Sequence, residues 1–526
     1  MFKTIYITVI LSIAILLSAC SNFDLLKKDD PKVTQSENIE EVKFSIDKIA
    51  LSRSFQNTTP KVEVINRNNK TSLLVTAGLI KSSGIEVKDI SKDGNTINIV
   101  INNKNNSTAQ LVIPQIWIDV SGIKISSLEL IRFNIINDNY KPLEITYGIV
   151  DVLNKLSSDL KIASSSSPNV NLIEDGKSLI WDIVYENIFD RYSKEIPLIN
   201  LNVLVDSKTG NIIRSNKSLI SSLVDEGTIL EFIQDEGMLY VKDIGETGYL
   251  NNLWFYSFNE KESEFLFGSN SNLVNVRLSP DKKHTAIMET KESERALYVV
   301  QNKDKKIVFI NMPSSFTPRT LSWKGKDELF ILSETTDNSS SLALYNIDNN
   351  NFEILTTYNT SIANFKYNKD LYLIAEVKDS SQNCSIKLSE DNIIFETIGS
   401  GYMVDFVGKD YIVFLTKSST TDENTIGVYN IENPESSYVI NRNVVDYKIL
   451  DQENILIVEK NNGGSEYKAS VLNLGSQEIE EIGKVNSSDV YLETRKDVLY
   501  VNLTIPFESD MSNIIYTVEK KHLSGK

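Results

Sequence analysis

Histidine and cysteine, which commonly take part in catalysis and metal binding, are scarce in this sequence. It contains two histidines, His284 and His522, and two cysteines, Cys20 and Cys384. These are too few for a zinc-binding set, and neither a Ser-His-Asp arrangement nor a Gly-x-Ser-x-Gly elbow is apparent. We expect His284, beside a turn, to be a solvated turn residue and Cys384, within an apolar strand run, to be a small buried residue. No catalytic, cofactor-binding or metal-ligating residue is therefore predicted.

Two further sets of residues have a structural interpretation. The polar runs 348–351 and 420–424 carry oxygen ligands of the kind calcium prefers, but neither has EF-hand spacing, so both are interpreted as hairpin loops. All four tryptophans lie in apolar strand patterns and are expected to pack in the core: Trp117, Trp181, Trp254 and Trp323.

Cys20 is the one residue for which the surrounding sequence predicts a covalent modification. A short segment with Lys3 leads into the apolar stretch from Ile5 to Leu17, which ends in Leu17-Ser18-Ala19-Cys20. This stretch is shorter than the ~20 residues that a membrane span requires. The pattern resembles the lipobox of bacterial lipoproteins, which implies that the signal peptide 1–19 is removed and a palmitate-type acyl lipid is attached to Cys20. An uncleaved N-terminal anchor is the alternative, and either one places the rest of the chain outside the cytoplasm at the cell membrane.

Composition is consistent with a soluble body held on a tether. The formal net charge is −17, which argues against nucleic-acid partners and against adhesion to anionic lipid. Residues 20–41 are polar around Lys27-Lys28-Asp29-Asp30-Pro31, and we expect a flexible tether there. With Cys384 as the only other cysteine, the fold must depend on its own core.

Residues 42–140 are predicted to form a β-rich N-terminal domain. Five β-rich runs are separated by Asn, Gly and Ser clusters, namely 42–49, 61–65, 96–101, 110–118 and 128–136. Residues 72–81 are expected to form a short helix. No motif with a chemical role is present in this region.

Residues 141–216 are predicted to form a small α+β unit. Apolar residues recur at helical spacing from Ile145 to Leu160, and three strand-like runs follow. The last run leads into Asp206-Ser207-Lys208-Thr209-Gly210, where Gly210 is expected to adopt the positive φ of a tight turn. The segment resembles a PepSY domain, which implies an inhibitory or protein-binding role in the cell envelope. The alternative is that Asp206 and Gly210 merely form a hairpin.

Residues 217–526 are repetitive. Seven apolar strands each end at a polar turn, and successive turns lie 43, 46, 42, 42, 43 and 44 residues apart. A period in the low forties built from short strands is typical of a β-propeller with four strands per blade. The predicted fold is therefore mainly β: a C-terminal seven-bladed β-propeller preceded by the smaller α+β, PepSY-like region.

One blade carries a recognisable turn. The residues Ser279-Pro280-Asp281-Lys282-Lys283 resemble the Ser-Pro-Asp-Gly-Lys turn of TolB-type and related WD40-like propellers, with Lys282 in place of the glycine. The sialidase Asp-box is excluded because its glycine and tryptophan are absent.

The sequence also predicts how the propeller ring closes. The seventh repeat supplies three convincing strands, and the tail after Glu519 is too short and polar for a fourth. We expect Leu219–Val224 to pair with Ile514–Val518 as the outermost strand of blade seven, immediately before Thr228–Ile233, the innermost strand of blade one.

Two classes of function remain. The first is a non-catalytic binding or scaffolding module for an envelope protein, peptide or glycan. The second is an extracytoplasmic propeller enzyme of the glycan lyase or lactonase type, acting from ionisable groups at the central channel. The scarcity of Arg and His in residues 217–526 favours the first.

Overall fold

The computed structural model describes residues 39–67, 70–120, 131–160, 167–176, 178–189, 198–243, 248–292, 294–334, 338–380, 383–418, 423–460, 466–507 and 510–523. The chain divides into two compact units, residues 1–144 and 145–526. Among the described residues, strands account for 66% and helices for 4%, so the predicted mainly β fold is confirmed. Cys20 and most of the predicted tether lie outside the described residues.

The first unit contains nine described strands, which are β1 (Ile39–Glu41), β2 (Ser45–Ser52), β3 (Lys61–Arg67), β4 (Lys70–Thr76), β5 (Ile80–Ser82), β6 (Gly84–Asp93), β7 (Thr96–Lys104), β8 (Gln110–Asp119) and β9 (Arg132–Asn137). One sheet has the order β1-β6-β7-β9, and the other has the order β2-β8-β4-β3 with β5 also paired to β8. Buried aliphatic side chains such as Leu73, Ile99 and Ile116 form its core.

The helix predicted at residues 72–81 is wrong. Residues 72–76 belong to strand β4, which pairs with β3 on one side and β8 on the other. Leu73 and Val75 are both fully buried on the same face of that strand. Pairing with two neighbouring strands therefore outweighed the local pattern, and β8 is distant in sequence.

The second unit begins with one helix and a four-stranded antiparallel sheet. The elements are α1 (Ile149–Asp159), β10 (Asn169–Asp175), β11 (Ser178–Phe189), β12 (Leu198–Asp206) and β13 (Ile212–Leu219). The helix buries Ile149, Val152 and Leu156, which confirms the helical spacing. The sheet has the order β10-β11-β12-β13.

The turn between β12 and β13 has the predicted conformation. The Asp206 Oδ1 accepts hydrogen bonds from the backbone N–H groups of Lys208 at 3.0 Å and Thr209 at 2.7 Å. Gly210 has a φ of +66°, and a Cβ at that position would lie 2.9 Å from the Tyr147 ring. Glycine is therefore required both by the backbone conformation and by the aromatic neighbour.

Seven four-stranded blades follow. Blade one is β15 (Thr228–Ile233), β16 (Gly237–Asp243), β17 (Asn251–Ser257) and β18 (Ser263–Ser269); blade two is β19 (Asn272–Leu278), β20 (His284–Lys291), β21 (Glu294–Gln301) and β22 (Lys306–Phe309); blade three is β23 (Thr317–Trp323), β24 (Glu328–Glu334), β25 (Ser340–Asn346) and β26 (Asn351–Tyr358). Blades four and five are formed by β27 (Ile362–Asn368), β28 (Leu371–Ser380), β29 (Asn383–Ser389), β30 (Glu396–Val407), β31 (Tyr411–Lys417), β32 (Asn424–Asn430) and β33 (Tyr438–Ile440). Blade six is β34 (Val444–Ile449), β35 (Asn454–Lys460), β36 (Tyr467–Asn473) and β37 (Ile479–Val485).

Strand β30 serves two blades. Its first half pairs with β29 as the outermost strand of blade four, and its second half pairs with β31 as the innermost strand of blade five. A Cβ at Gly401 would lie 2.2 Å from the Leu415 carbonyl oxygen, so the chain passes between the blades at a position that only glycine can fill without displacement.

Blade seven closes the ring as predicted. It consists of β38 (Val490–Glu493), β39 (Val498–Phe507), β40 (Asp510–Glu519) and, from the other end of the propeller, β14 (Ser221–Glu226). Ser222 pairs with Thr517 and Leu223 with Tyr516. The closing strand begins two residues later than expected because Leu219 ends β13, and Val224 lies at a bulge in the pairing.

The small α+β sheet shares a core with the propeller. Leu198 and Ile220 belong to the same buried cluster as Leu499 and Tyr516. The Ser221 hydroxyl oxygen accepts a hydrogen bond from the Leu198 N–H at 2.7 Å, and the Phe189 and Tyr516 rings meet edge to face at 6.4 Å. The strand that closes the ring is therefore also fixed by the sheet that precedes it.

Candidate functional site at the propeller axis

The innermost strands of the seven blades position side chains around the propeller axis. In six of them the pairing with the second strand shifts at a β-bulge, for example between Ile229 and Glu231 and between Val444 and Asp446. A bulge bends the strand locally and redirects the side chains that follow it. Most of the ionisable residues at the axis follow such a bulge.

Lys366 and Asp405 form an ion pair between blades four and five. Their charged atoms are in direct contact, and the two side chains are 29% and 28% exposed. Because both residues lie on innermost strands, this pair joins two neighbouring blades at the axis. Solvent reaches the pair only in part, so its attraction is less screened than that of a surface pair.

A second ionic group joins blades six and seven. The Lys448 Nζ lies 2.8 Å from the Asp446 Oδ2 and 3.7 Å from the Asp489 Oδ1. The same ammonium lies 4.7 Å from the centroid of the Tyr491 ring. Burial raises the pKa of Asp489, and the Lys448 charge and a hydrogen bond to Tyr491 oppose that rise. Burial, together with the Asp489 charge, raises the pKa of Tyr491.

Glu231 provides the carboxylate of blade one. Its Oε2 accepts a hydrogen bond from the Leu278 N–H at 2.6 Å. Burial raises the pKa of Glu231, and the charges of Arg277 and Lys366 lower it in part. Lys366 belongs to blade four, so the charge of one blade influences the pKa of a carboxyl on another.

The three axial cations occupy equivalent positions on alternate blades. Arg277, Lys366 and Lys448 are each the second residue after the first pair that follows the bulge, in blades two, four and six. The axis thus combines three cations with four carboxylates, which are Glu231, Asp405, Asp446 and Asp489. Each carboxylate either lies close to a cation or has its pKa lowered by one. This arrangement suits the binding of groups that carry positive or negative charge.

The residues singled out from the sequence lie away from this axial site. His284 begins β20 and is half-buried, while His522 is exposed in a short 3₁₀ helix at Lys520–His522. Cys384 is fully buried, and burial raises the pKa of its thiol, so its prediction as a small core residue is confirmed. Within the described ranges, no group of three or more His, Cys, Asp or Glu side chains is arranged to hold a metal ion.

The tryptophan prediction is only partly correct. Trp181 is fully buried, and its Nε1 donates to the Tyr147 carbonyl oxygen at 3.0 Å. The other three are half-buried. Lysine ammonium groups lie over Trp117 and Trp254, and Trp323 donates to the Arg277 carbonyl oxygen at 3.0 Å.

The polar runs also form turns. Residues 348–351 complete the β25–β26 hairpin, where the Asn349 N–H donates to the Asn346 side chain and the Tyr345 hydroxyl donates to Asn350. In the second run, residues 420–422 lie outside the described residues. The Ser279-Pro280-Asp281 turn has Lys282 at a φ of +62°, which explains why the related turn carries glycine there.

Sequence reasoning did not identify the axial charges. One signal was present: the tripeptides Asn275-Val276-Arg277, Asn364-Phe365-Lys366 and Asp446-Tyr447-Lys448 repeat a polar-apolar-basic pattern in every second blade. This pattern has twice the blade period, so a search for features common to all seven blades does not reveal it.

Comparison with known proteins finds solved structures that resemble this chain. The chain is similar to an oligogalacturonate lyase from Vibrio parahaemolyticus, with 11% identity over 61% of this chain and 96% of that one and a TM-score of 0.46. TolB from Acinetobacter baumannii is 9% identical over 66% and 86% of the two chains, with a TM-score of 0.36. The β-propeller domain of the Trilobed protease from Pyrococcus furiosus is 15% identical over 58% and 94%, with a TM-score of 0.40.

These similarities concern the fold alone, and they are consistent with the class that the blades define, a seven-bladed β-propeller. The similar structures include an oligogalacturonate lyase and the propeller domain of a protease. No protein-family profile and no curated sequence matches the chain. The part of the chain that the structure describes contains no helix long and apolar enough to cross a bilayer.

Proposed function

We propose that this protein is an extracytoplasmic lipoprotein, anchored to the cell membrane through a lipid on Cys20, whose propeller binds an envelope protein, peptide or glycan without catalysis. The observation that carries the binding function is the pairing of charges at the axis. Lys366 is held by Asp405, and Lys448 by Asp446 and Asp489. A general base or nucleophile must be able to exchange a proton or attack a substrate, whereas these groups are held in ion pairs.

The lipid anchor in this proposal is supported by the residues before Cys20. The short apolar stretch ends in Leu17-Ser18-Ala19-Cys20, which resembles a lipobox. The PepSY-like part of the proposal is supported by the helix, the sheet and the Asp206–Gly210 turn. Because this unit shares a core with blade seven, we assign it a role in presenting the propeller to a partner.

The proposal is tested by capturing partners from the envelope of the native host with the full-length lipidated protein. Replacing Lys366 and Lys448 by alanine should remove the captured partner, because the axial cations are lost. Lys291→Ala with Lys303→Ala is the matched control, since both lysines are exposed on blade two. A Lys366→Asp, Asp405→Lys exchange retains an ion pair between blades four and five. Thermal melts show whether each variant is folded.

Two results would contradict the proposal. One is an unchanged set of captured proteins and glycans in a folded axial variant. The other is turnover of an oligouronide or a lactone by the native protein that disappears in the axial variant, which would favour the lyase or lactonase alternative.

A further inference from the structure

A cleft of about 540 Å³ lies along the seam where the propeller ring closes. Its walls include residues 219–224, Tyr256 of blade one, and Glu493, Lys496 and Tyr500 of blade seven. The cleft is within the size range of small-ligand sites, which is about 300–1,000 Å³. It is distinct from the axial site because none of the seven axial charged residues lines it.

The most unusual residue of this cleft is Glu493, the last residue of β38. Its side chain is only 2% exposed, and its Oε2 has no hydrogen-bond partner among the described residues. A buried carboxylate oxygen without a partner is costly, because its hydration has been lost and nothing replaces it. The structure therefore contains a hydrogen-bond acceptor that a ligand is able to satisfy.

The charge of Glu493 is already compensated. The Lys496 Nζ lies 3.6 Å from the Glu493 Oε1 and donates to the Phe258 carbonyl oxygen at 2.9 Å. A second cation at Oε2 would be repelled by Lys496, whereas a neutral hydroxyl donor would not. Lys496 is 45% exposed and itself lines the cleft.

Tyrosines and apolar groups complete the surface around the carboxylate. Tyr256 and Tyr500 line the same cleft as Glu493, and their pKa values are raised by burial first and also by the Glu493 charge. Leu223 and Val224 of β14 add apolar surface to the cleft. A carboxylate, phenolic hydroxyls and apolar surface match the alternating hydroxyl and C–H groups of a sugar ring.

We propose that this seam cleft binds a neutral, hydroxyl-rich sugar, with a ligand hydroxyl donating to the Glu493 Oε2. The inference deepens the proposed function, on which it rests, by selecting a glycan as one ligand of the binding module. Because β14, the other strands of blade seven and blade one all line the cleft, a bound sugar also stabilises the closed ring.

The test is calorimetric titration of the full chain with three sugars of similar size. Maltotriose and tri-N-acetylchitotriose are neutral, and trigalacturonic acid is anionic. We expect saturable binding of at least one neutral sugar and an increase in melting temperature. Binding of the acid should be weaker because an ionised carboxylate cannot donate a hydrogen bond to the Glu493 Oε2. Absence of saturable binding by both neutral sugars, or preferential binding of the acid, would overturn the proposal.

Variants locate the site. Glu493→Gln retains the shape of the side chain and removes the charged acceptor, and it should raise the Kd for the sugar about tenfold. Tyr500→Phe removes one hydroxyl and should also raise the Kd. Glu260→Gln is the matched control, since this glutamate is exposed on blade one and does not line the cleft. Unchanged affinity in folded Glu493→Gln and Tyr500→Phe would place any sugar elsewhere and refute the seam site.

The axial variant separates this inference from the proposed function. Lys366→Ala with Lys448→Ala should bind the sugar like the native chain while failing to capture its envelope partner. Loss of sugar binding in that variant alone, with Glu493→Gln unaffected, would transfer the glycan site to the axis and contradict the inference.

Discussion

At the scale of single residues, glycines determine the turns of the small α+β sheet, and a few charged side chains determine the electrostatics of the axis. Gly210 and Gly176 both have positive φ, +66° and +62°, but a Cβ would meet the Tyr147 ring at Gly210 and open space at Gly176. The two glycines lie at the two hairpin turns of the same small sheet. Alanine substitutions at the two positions therefore separate the free-energy cost of the backbone conformation from that of a steric clash.

We predict that Gly176→Ala lowers the free energy of unfolding by about 1 kcal/mol, because the left-handed conformation disfavours a Cβ. Gly210→Ala should cost about 2–4 kcal/mol, since overpacking against Tyr147 is added. Denaturant titration of both variants measures the difference. Equal losses would show that Tyr147 does not restrict this turn.

Glu231 should make stability depend on pH. Burial raises its pKa in the folded protein above the ordinary value of 4.5, so folding disfavours the ionised form. The resulting destabilisation is absent well below pH 4.5 and develops as the pH rises from there through the folded pKa. Glu231→Gln should therefore gain stability relative to the native chain between acid and neutral pH.

Thermal melts of Glu231→Gln and the native chain across that pH range measure this effect. Glu262→Gln, at an exposed position, is the matched control. A stability difference between Glu231→Gln and the native chain that does not vary with pH would show that the Arg277 and Lys366 charges cancel the effect of burial.

At the scale of elements, the blades were predictable because each repeat contains its own pattern. Blade two has the four strands that the repeat period predicts for each blade, and Thr228–Ile233 is the innermost strand of blade one as expected. The error at residues 72–81 and the unrecognised axial pairs have a common cause. Both depend on partners distant in sequence: β8 for β4, and side chains on different blades for Lys366 and Asp405.

Ring closure was also predictable, but its register was not. The pairing of β14 with β40 is indicated by the missing fourth strand of blade seven and by the apolar residues 219–224. The bulge at Val224 is not, because it depends on how Leu223 and Asp225 pair with β40. A proline at Val224 therefore does not test a regular ladder position.

We predict that β14 is essential for a stable propeller. A chain beginning at Gly227 should be less stable than one beginning at Ile145 by about 3 kcal/mol or more, because Leu223 and Val224 leave the core between blades. In the longer chain, limited proteolysis should spare residues 216–227, which lie almost entirely in β13 and β14. Equal melting temperatures of the two chains would show that β14 contributes nothing to closure.

At the scale of the whole molecule, the proposed lipid anchor determines where the propeller acts. Cys20→Ser removes the only thiol that the lipobox-like pattern offers for lipid attachment. We predict that this variant loses lipid labelling and leaves the membrane fraction, while a Cys384→Ser control retains both. Membrane fractionation with metabolic lipid labelling measures this, and an unlipidated Cys20→Ser chain that remained at the membrane would contradict the anchor.

Both proposed binding sites require a closed ring. The axial site needs all seven innermost strands around one axis, and the seam cleft uses β14 as a wall. Both sites therefore depend on the pairing of Ser221–Glu226 with Asp510–Glu519 in the folded protein. Ser222 lies opposite Thr517, at the separation of about 4.5–5.5 Å that antiparallel neighbours share and a disulfide spans.

The most direct measurement is disulfide formation in the full chain carrying Ser222→Cys and Thr517→Cys. We predict that these cysteines link under mild oxidation, that peptide mapping finds residues 222 and 517 joined, and that the linked protein gains up to about 4 kcal/mol of stability. Ser222→Cys with Ser512→Cys is the mismatched control, because Ser512 pairs with Ile505. Failure of the 222–517 link in a folded protein, or equal linking in the mismatched pair, would contradict the closed propeller.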